Sequence, residues 1–302
     1  MFKKNLQLSI FISFIAIASC QYSCNNNETP ITPIDTNDNR ITVYDTEPSW
    51  SSDGRTIAYG GGSDSAGYKI FAIDTNSQNQ RIISTLYGHS ISWSPDGKWI
   101  LYEAGGTIYK KRVGGDTAKV QLTFNGGSFY PSWSKDGEWI AFDCNFESPT
   151  GGHFIWKMRS DGSEQKRIIG NDTTGEVRQP DWFPDGIRLV VSRFIGHGFS
   201  EIAIIDTSGN SLAVLTNDIN EADENPKVSN DGSFITWWKP VGLSRIFVMK
   251  ADGTEQRQVN SHSIHPNWSP DGKMLTYTNT IYNDGRIWIL NINSSIRKKI
   301  SF

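Results

Sequence analysis

Histidine, methionine and cysteine are scarce in this 302-residue chain, at five, four and three residues. The cysteines, Cys20, Cys24 and Cys144, make no even framework, so the fold does not rest on disulfides. Cys144 reads as a small packed side chain. The short motifs of common enzyme chemistries are absent. There is no Gly-x-Ser-x-Gly elbow, no His-Glu-x-x-His, no Gly-rich phosphate loop and no Cys-x-x-Cys pair. A formal net charge of −3 leaves no basic footprint for nucleic acid. The one basic triplet, Lys110-Lys111-Arg112, reads as the solvated face of a strand. Beyond the N-terminal apolar stretch, no segment sustains a helical period, which excludes helix bundles and α/β folds.

What the chain does have is one phrase written six times. It reads Trp50-Ser51-Ser52-Asp53-Gly54, Trp93-Ser94-Pro95-Asp96-Gly97 and Trp133-Ser134-Lys135-Asp136-Gly137. It returns as Trp182-Phe183-Pro184-Asp185-Gly186, Val228-Ser229-Asn230-Asp231-Gly232 and Trp268-Ser269-Pro270-Asp271-Gly272. Successive Asp-Gly pairs lie 43, 40, 49, 46 and 40 residues apart. A period in the forties built from short strands is the signature of a β-propeller blade.

Each unit has four parts. A first segment ends in the tryptophan, and an Asp-Gly turn follows, with Gly taking the positive φ of a tight bend. The second strand is typified by Ile57-Ala58-Tyr59 and Ile100-Leu101-Tyr102. Its branched aliphatic and large final residue share one face, and the small or apolar residue between them faces the other. Such a strand is covered on both faces, as a blade is between its neighbours. The third part begins at Ile70, Ile108, Ile155, Ile202, Ile246 or Ile287. The fourth, such as Gln80–Ile83 or Lys166–Ile169, is more polar and suits an outer edge that must not pair with other molecules. The expected fold is therefore all-β, a six-bladed propeller of four-stranded antiparallel blades over residues 41–302. The tryptophans read as packing between blades. Ile41-Thr42-Val43-Tyr44 aligns with a fourth strand, so it is expected beside the last blade, Ile287–Ile300, helping to close the ring.

The first nineteen residues stand apart. Lys3 and Lys4 precede an apolar run, Leu6 to Ala18, that is too short to span a bilayer. It ends Ile17-Ala18-Ser19-Cys20, which resembles the lipobox of bacterial lipoproteins. That resemblance implies cleavage before Cys20 and a lipid on its thiol, with residues 1–19 as signal peptide. Residues 20–40, with Asn25-Asn26-Asn27, Pro30 and Pro33, are poor in apolar side chains and read as a disordered tether. Gln21, not Asp, follows the cysteine, which favours an outer-membrane lipoprotein facing the periplasm, with surface exposure left open.

The Trp-Ser-Pro-Asp-Gly units over 48–59, 91–102, 131–142 and 266–277 resemble TolB-type, WD-like propeller repeats. Those at 180–191 and 226–237 match more loosely, with Phe183 and Val228 off pattern. The resemblance covers residues 41–302 and implies the fold, not an activity, because propellers host many functions. The TolB pattern has an α/β domain ahead of its propeller, where here only the tether is expected. The prolyl oligopeptidase-like pattern continues into a hydrolase domain, where here the last blade is expected to end the chain.

In TolB-like propellers the segment before each tryptophan approaches the mouth of the central channel. Three residues before the tags stand Glu47, Ser90, Tyr130, Gln179, Asn225 and His265, and four before stand His89, Arg178 and Glu224. Such a polar ring is a candidate partner-binding surface, although any loop end is polar. His89 and His265 hold near-equivalent places in blades two and six, but non-adjacent blades make a poor metal pair. A lyase-type metal centre would need more histidine than five residues spread over the blades. The longest interval, Asp136 to Asp185, carries insertions at Asp143–His153 and Gly170–Arg178, and long loops on a rigid scaffold tend to carry specificity. The expected function is a lipid-anchored envelope module, a monomeric propeller without cofactor, metal or enzymatic activity, binding a protein or peptide at its axial face. The alternative is a glycan-binding or polysaccharide-degrading, lyase-type propeller that uses channel residues and exposed aromatics such as Trp238.

Overall fold

The computed structural model describes residues 43–63, 67–115, 118–148, 151–169, 176–240, 242–281 and 285–301. The expected signal peptide, tether and Cys20 lie outside the described residues, as do Ile41, Thr42 and most of the Gly170–Arg178 insertion.

Six sheets of four antiparallel strands account for the described chain, and no α-helix occurs among the described residues. Each sheet is contiguous in sequence and ordered from first strand to fourth. The first strands are Val43–Trp50, His89–Trp93, Ser128–Trp133, Val177–Trp182, Glu224–Val228 and Ser263–Trp268. The polar fourth strands, such as Arg81–Ser84 and Lys166–Ile169, are the outer edges.

The core is six apolar clusters, one between each pair of successive blades. Each tag residue packs back onto the preceding blade. Trp133 joins Leu101 and Ile108, Trp182 joins Ala141 and Ile155, and Val228 takes the same place against Ile202 and Ile204. Burying one large aromatic side chain stabilises by roughly 2–3 kcal/mol, so the tags are a main term in holding blade to blade. Their indole N–H groups often reach across as well. Trp182 Nε1 donates to the Ser132 carbonyl at 3.1 Å and Trp268 Nε1 to the Lys227 carbonyl at 3.0 Å.

The repeated Ser-x-Asp-Gly turn is a closed hydrogen-bond unit. In blade two, Ser94 Oγ donates to Asp96 Oδ1 at 2.6 Å and accepts from the Trp99 N–H at 2.9 Å, while the Lys98 N–H donates to the same carboxylate at 3.0 Å. The pattern recurs at Asp53, Asp136, Asp231 and Asp271. In blade four Phe183 replaces the serine, and Asp185 turns to the Ile187 and Arg188 N–H groups and the Arg188 side chain.

Three expectations are corrected. Val43–Thr46 is no fourth strand. It extends the first strand of blade one and pairs with Gly60–Ser63, so the ring closes without strand exchange. The segment does lie beside blade six: the Asp45 N–H donates to the Gly285 carbonyl at 2.6 Å and Asp45 Oδ2 lies 3.4 Å from Arg286 Nη1. Gly61 stands opposite Asp45 because a Cβ there would sit 2.5 Å from Asp45 Oδ1. Second, Lys110 is not solvated. Its amine donates to the Ser160 carbonyl at 2.6 Å and lies over the Trp99 ring at 5.2 Å, bridging blades two and three. Third, Trp238 is no exposed platform. It is half-buried, edge-on to His265 with centroids 5.4 Å apart.

Candidate functional site: the axial channel

The first strands line the axis, and each carries the same irregularity. The register with the second strand slips between Thr46 and Ser49, His89 and Ser92, Arg178 and Asp181, Glu224 and Lys227, Ile264 and Asn267, and likewise opposite Ala141–Asp143. At each slip a non-glycine residue takes a left-handed conformation: Glu47, Ser90, Tyr130, Gln179, Asn225 and His265, with φ between 49 and 57°. These are the residues three before the tags. Proline follows five of them, at Pro48, Pro131, Pro180, Pro226 and Pro266. Having no N–H, proline leaves no donor unmet where the ladder is interrupted. Each bulge re-aims a side chain off the sheet face.

Glu47 is the hub of one end. Its Oε2 accepts the Ser90 N–H, and its Oε1 lies 3.9 Å from His89 Nδ1 and 3.8 Å from His265 Nε2. Ring closure makes blades two and six both neighbours of blade one, so the two histidines meet through Glu47. Burial pushes the Glu47 carboxyl up, but His265, His89 and the Ser90 N–H outweigh it and hold it below the usual range. Burial drives the His265 imidazole toward the neutral form, with Glu47 opposing. Thr46 Oγ1 lies 3.2 Å from His265 Nδ1. His89 keeps 43% of its side chain exposed, and Tyr87 lies edge-on to it at 4.5 Å.

Across the axis, burial and then the Glu47 charge raise the Tyr130 phenol pKa, with Gln179 opposing. Gln179 Oε1 accepts the Asn225 N–H at 2.8 Å, and both residues are buried. Glu47 and Gln179 thus each cap the left-handed residue of the next blade. Burial raises the Glu224 carboxyl, and Arg178 opposes it from across the bulge. Arg178 pairs with Glu176 and lies over the Phe194 ring at 4.9 Å.

All nine residues three and four before the tags therefore gather at the bulges: Ser90 and Tyr130 line a cavity there, and the other seven fall in three sets. Glu47, His89 and His265 form one; Gln179 and Asn225 form a second, joined through the Asn225 N–H, with Asn225 Oδ1 buried and without a hydrogen-bond partner among the described residues; Arg178 and Glu224 form a third. A cavity of about 290 Å³ opens here, lined by Glu47, His89, Ser90, Glu103, Phe129 and Tyr130. A narrow waist of about 20 Å³ follows, past Tyr130 and His265.

Sequence reasoning missed Glu103 and the Asp143–His153 pair. Glu103 is buried, its carboxyl raised by burial, and its Oε1 accepts the Gly106 N–H at 2.5 Å. Asp143 is fully buried with Oδ2 3.2 Å from His153 Nδ1, and burial raises its carboxyl too. Both follow the second-strand aromatic, Tyr102 or Phe142, by one residue, and that shared place was a readable signal. The 143–153 insertion is thereby partly anchored inward. Cys144 is buried and accepts from Ser128 Oγ at 3.7 Å. Among the described residues no three His, Cys, Asp or Glu side chains are grouped to hold a metal ion.

No protein-family model and no curated protein matches the sequence. Solved structures do. A protein assigned as TolB from Agrobacterium tumefaciens superposes with a TM-score of 0.66 at 20% identity, over 76% of this chain and 86% of that one. TolB from Acinetobacter baumannii gives 0.60 at 20% identity, over 76% of this chain and 57% of that one. An oligogalacturonate lyase in complex with manganese gives 0.60 at 14% identity, over 86% of this chain and 78% of that one. The fold is thus a TolB-like six-bladed propeller. At these identities the likeness is one of fold alone.

Proposed function

We propose that this chain is a non-enzymatic interaction module of the bacterial cell envelope, anchored by lipid at Cys20, whose bulge-lined channel mouth takes a protein or peptide partner. One observation carries the reading. In all six blades a non-glycine residue holds a left-handed conformation at the axis. Each such residue costs on the order of 1–2 kcal/mol, and strain of this kind clusters at functional sites. The mouth also mixes both charge signs with Tyr130, His89 and His265, which suits an orientation-specific, hydrogen-bonded contact. The envelope location rests on Lys3, Lys4, the apolar run to Ala18 and the Ser19-Cys20 junction.

The test is a crosslinking pull-down from membranes with wild type and the Arg178→Ala, Glu224→Ala double variant. Neither residue belongs to an apolar cluster, so the melting temperature should move only a few degrees, in keeping with changes of about 0.5 kcal/mol. Partner recovery should fall. Unchanged recovery, with loss on substituting residues 143–153 instead, would move the site to that insertion.

A lyase-type reading draws on the manganese-bound neighbour of similar fold. It would need a metal-holding donor set, and the described residues group none.

A further inference from the structure

The channel has a second, larger opening on the far side of the waist, of about 390 Å³. It is built from two rings that the repeat places once per blade. One is the residue just before each tag: Ser49, Ser92, Ser132, Asp181, Lys227 and Asn267. The other is the variable residue of each Ser-x-Asp-Gly turn, which is Lys135 in blade three.

Hydrogen bonding in the first ring is one-sided. Asn267 Oδ1 accepts the Trp50 N–H at 3.3 Å, and Ser92 Oγ accepts the Trp133 N–H at 3.2 Å. Asp181 Oδ2 accepts the Val228 N–H at 2.9 Å, and its Oδ1 accepts Ser132 Oγ at 2.8 Å with Lys227 Nζ at 3.8 Å. Backbone N–H groups can only donate, so the Asn267 oxygen must face Trp50 and its NH2 group remains for the cavity. The Asn267, Ser92 and Asp181 oxygens are consumed by the blades, and Ser132 spends its donor on Asp181, which leaves the Ser92 hydroxyl and the Asn267 NH2 group as donors. Asp181 is the single acidic lining residue, and both its oxygens are engaged. Lys135 has no hydrogen-bond or ion-pair partner among the described residues.

We infer that this second mouth binds an oxyanion, a carboxylate or phosphate group, between the Lys135 and Lys227 amines, with the Ser92 hydroxyl and the Asn267 amide as further donors. Charge-assisted bonds from ammonium to oxyanion are the strong class of hydrogen bond, and the enclosing walls limit their competition with water. Lys135 is exposed by area, yet desolvation inside the mouth lowers the pKa of its amine; Asp181 opposes and Lys227 adds repulsion. A bound anion would favour the charged form of both amines. This site is independent of the partner reading for the bulge-lined mouth.

The test is calorimetric titration of the full chain with inorganic phosphate and, separately, with acetate at constant ionic strength. The variants are Lys135→Gln, Lys227→Gln and their combination, with the exposed Lys250→Gln as a control for net charge. One saturable event is expected in wild type and in the control, roughly tenfold weaker in each single variant and absent in the double, in line with the value of a charged hydrogen bond. The tighter of the two probes identifies the oxyanion. Arg178→Ala, Glu224→Ala should bind as wild type does. If Lys227→Gln does not fold, Lys135→Gln alone, in an exposed turn, decides. No saturable binding of either probe at millimolar concentration, or binding unchanged by Lys135→Gln, overturns the inference.

Discussion

Replacing Trp182 and Trp50 separately by phenylalanine measures what the indole N–H groups contribute at two seams of the ring. Both tryptophans are buried tag residues packed on the preceding blade, Trp182 at the seam of blades three and four, Trp50 where blade one meets blade six. Their N–H groups differ. Trp182 Nε1 donates to the Ser132 carbonyl, whereas Trp50 Nε1 is buried without a partner among the described residues. Each substitution removes the same ring atoms, so the transfer and cavity terms cancel to first order. What remains is the polar group. Trp182→Phe forfeits a hydrogen bond, about 1 kcal/mol net; Trp50→Phe recovers a desolvation penalty of about 1–3 kcal/mol. The Trp182 variant should therefore lose about 2–4 kcal/mol more than the Trp50 variant, a ratio of at least about 30 in the unfolding constant. Urea denaturation followed by far-ultraviolet circular dichroism reads this directly, since the backbone signal survives loss of a fluorophore. Equal losses, or a larger one for Trp50→Phe, would refute the assignment of these N–H groups.

Ser94→Ala should destabilise by about 1 kcal/mol, because its hydroxyl both donates to Asp96 and accepts from Trp99, and denaturant midpoints check it. Serine hydroxyls first, then backbone N–H groups, hold Asp53, Asp96 and Asp231 below the usual carboxylate range. Their stabilisation is therefore complete above the unfolded carboxylate pKa and lost as pH falls through the folded values; melting temperatures from pH 7 to pH 3 should show that decline, and Asp96→Asn should flatten it. His265 is the opposite kind of group with the same sign: burial lowers its pKa, so the unfolded state binds more protons and stability starts to fall below about pH 6.5. His265→Gln should remove the slope near pH 6 and leave the carboxylate decline; a slope that persists contradicts the burial argument. Cys20→Ala should move the protein from the membrane to the soluble fraction, with acyl chains seen by mass spectrometry only on wild type.

Particular residues show where sequence reading succeeded. The tag tryptophans announced contacts between blades, and the Ile-x-aromatic strands announced burial on both faces, because a period-2 pattern states its own geometry. The positions three and four before the tags were found by counting, once the resemblance to TolB-like propellers had picked out the segment to count in. Their commitments were not. Gln179 and Asn225 look like surface polar residues in sequence, yet both are buried and bonded to each other across the seam of blades four and five. Val43 and Tyr44 read as part of a fourth strand, yet pairing with Gly62 and Ser63 makes them part of the first.

While the segment of each repeat that approaches the axis came from the resemblance to TolB-like propellers, the sequence by itself determined the number of blades and their four-strand plan. Those are local properties, set by turn chemistry and the alternation of side chains along a strand. Only the tertiary structure decided that His89 and His265 meet through Glu47, that Lys110 bridges two blades, and that the second mouth is lined with unspent donors. The first depends on closing a ring that brings residue 47 beside residue 265, and the others on how neighbouring blades pack. Periodicity specifies the contents of a blade, but the neighbours of a side chain across a seam are fixed by how the blades pack.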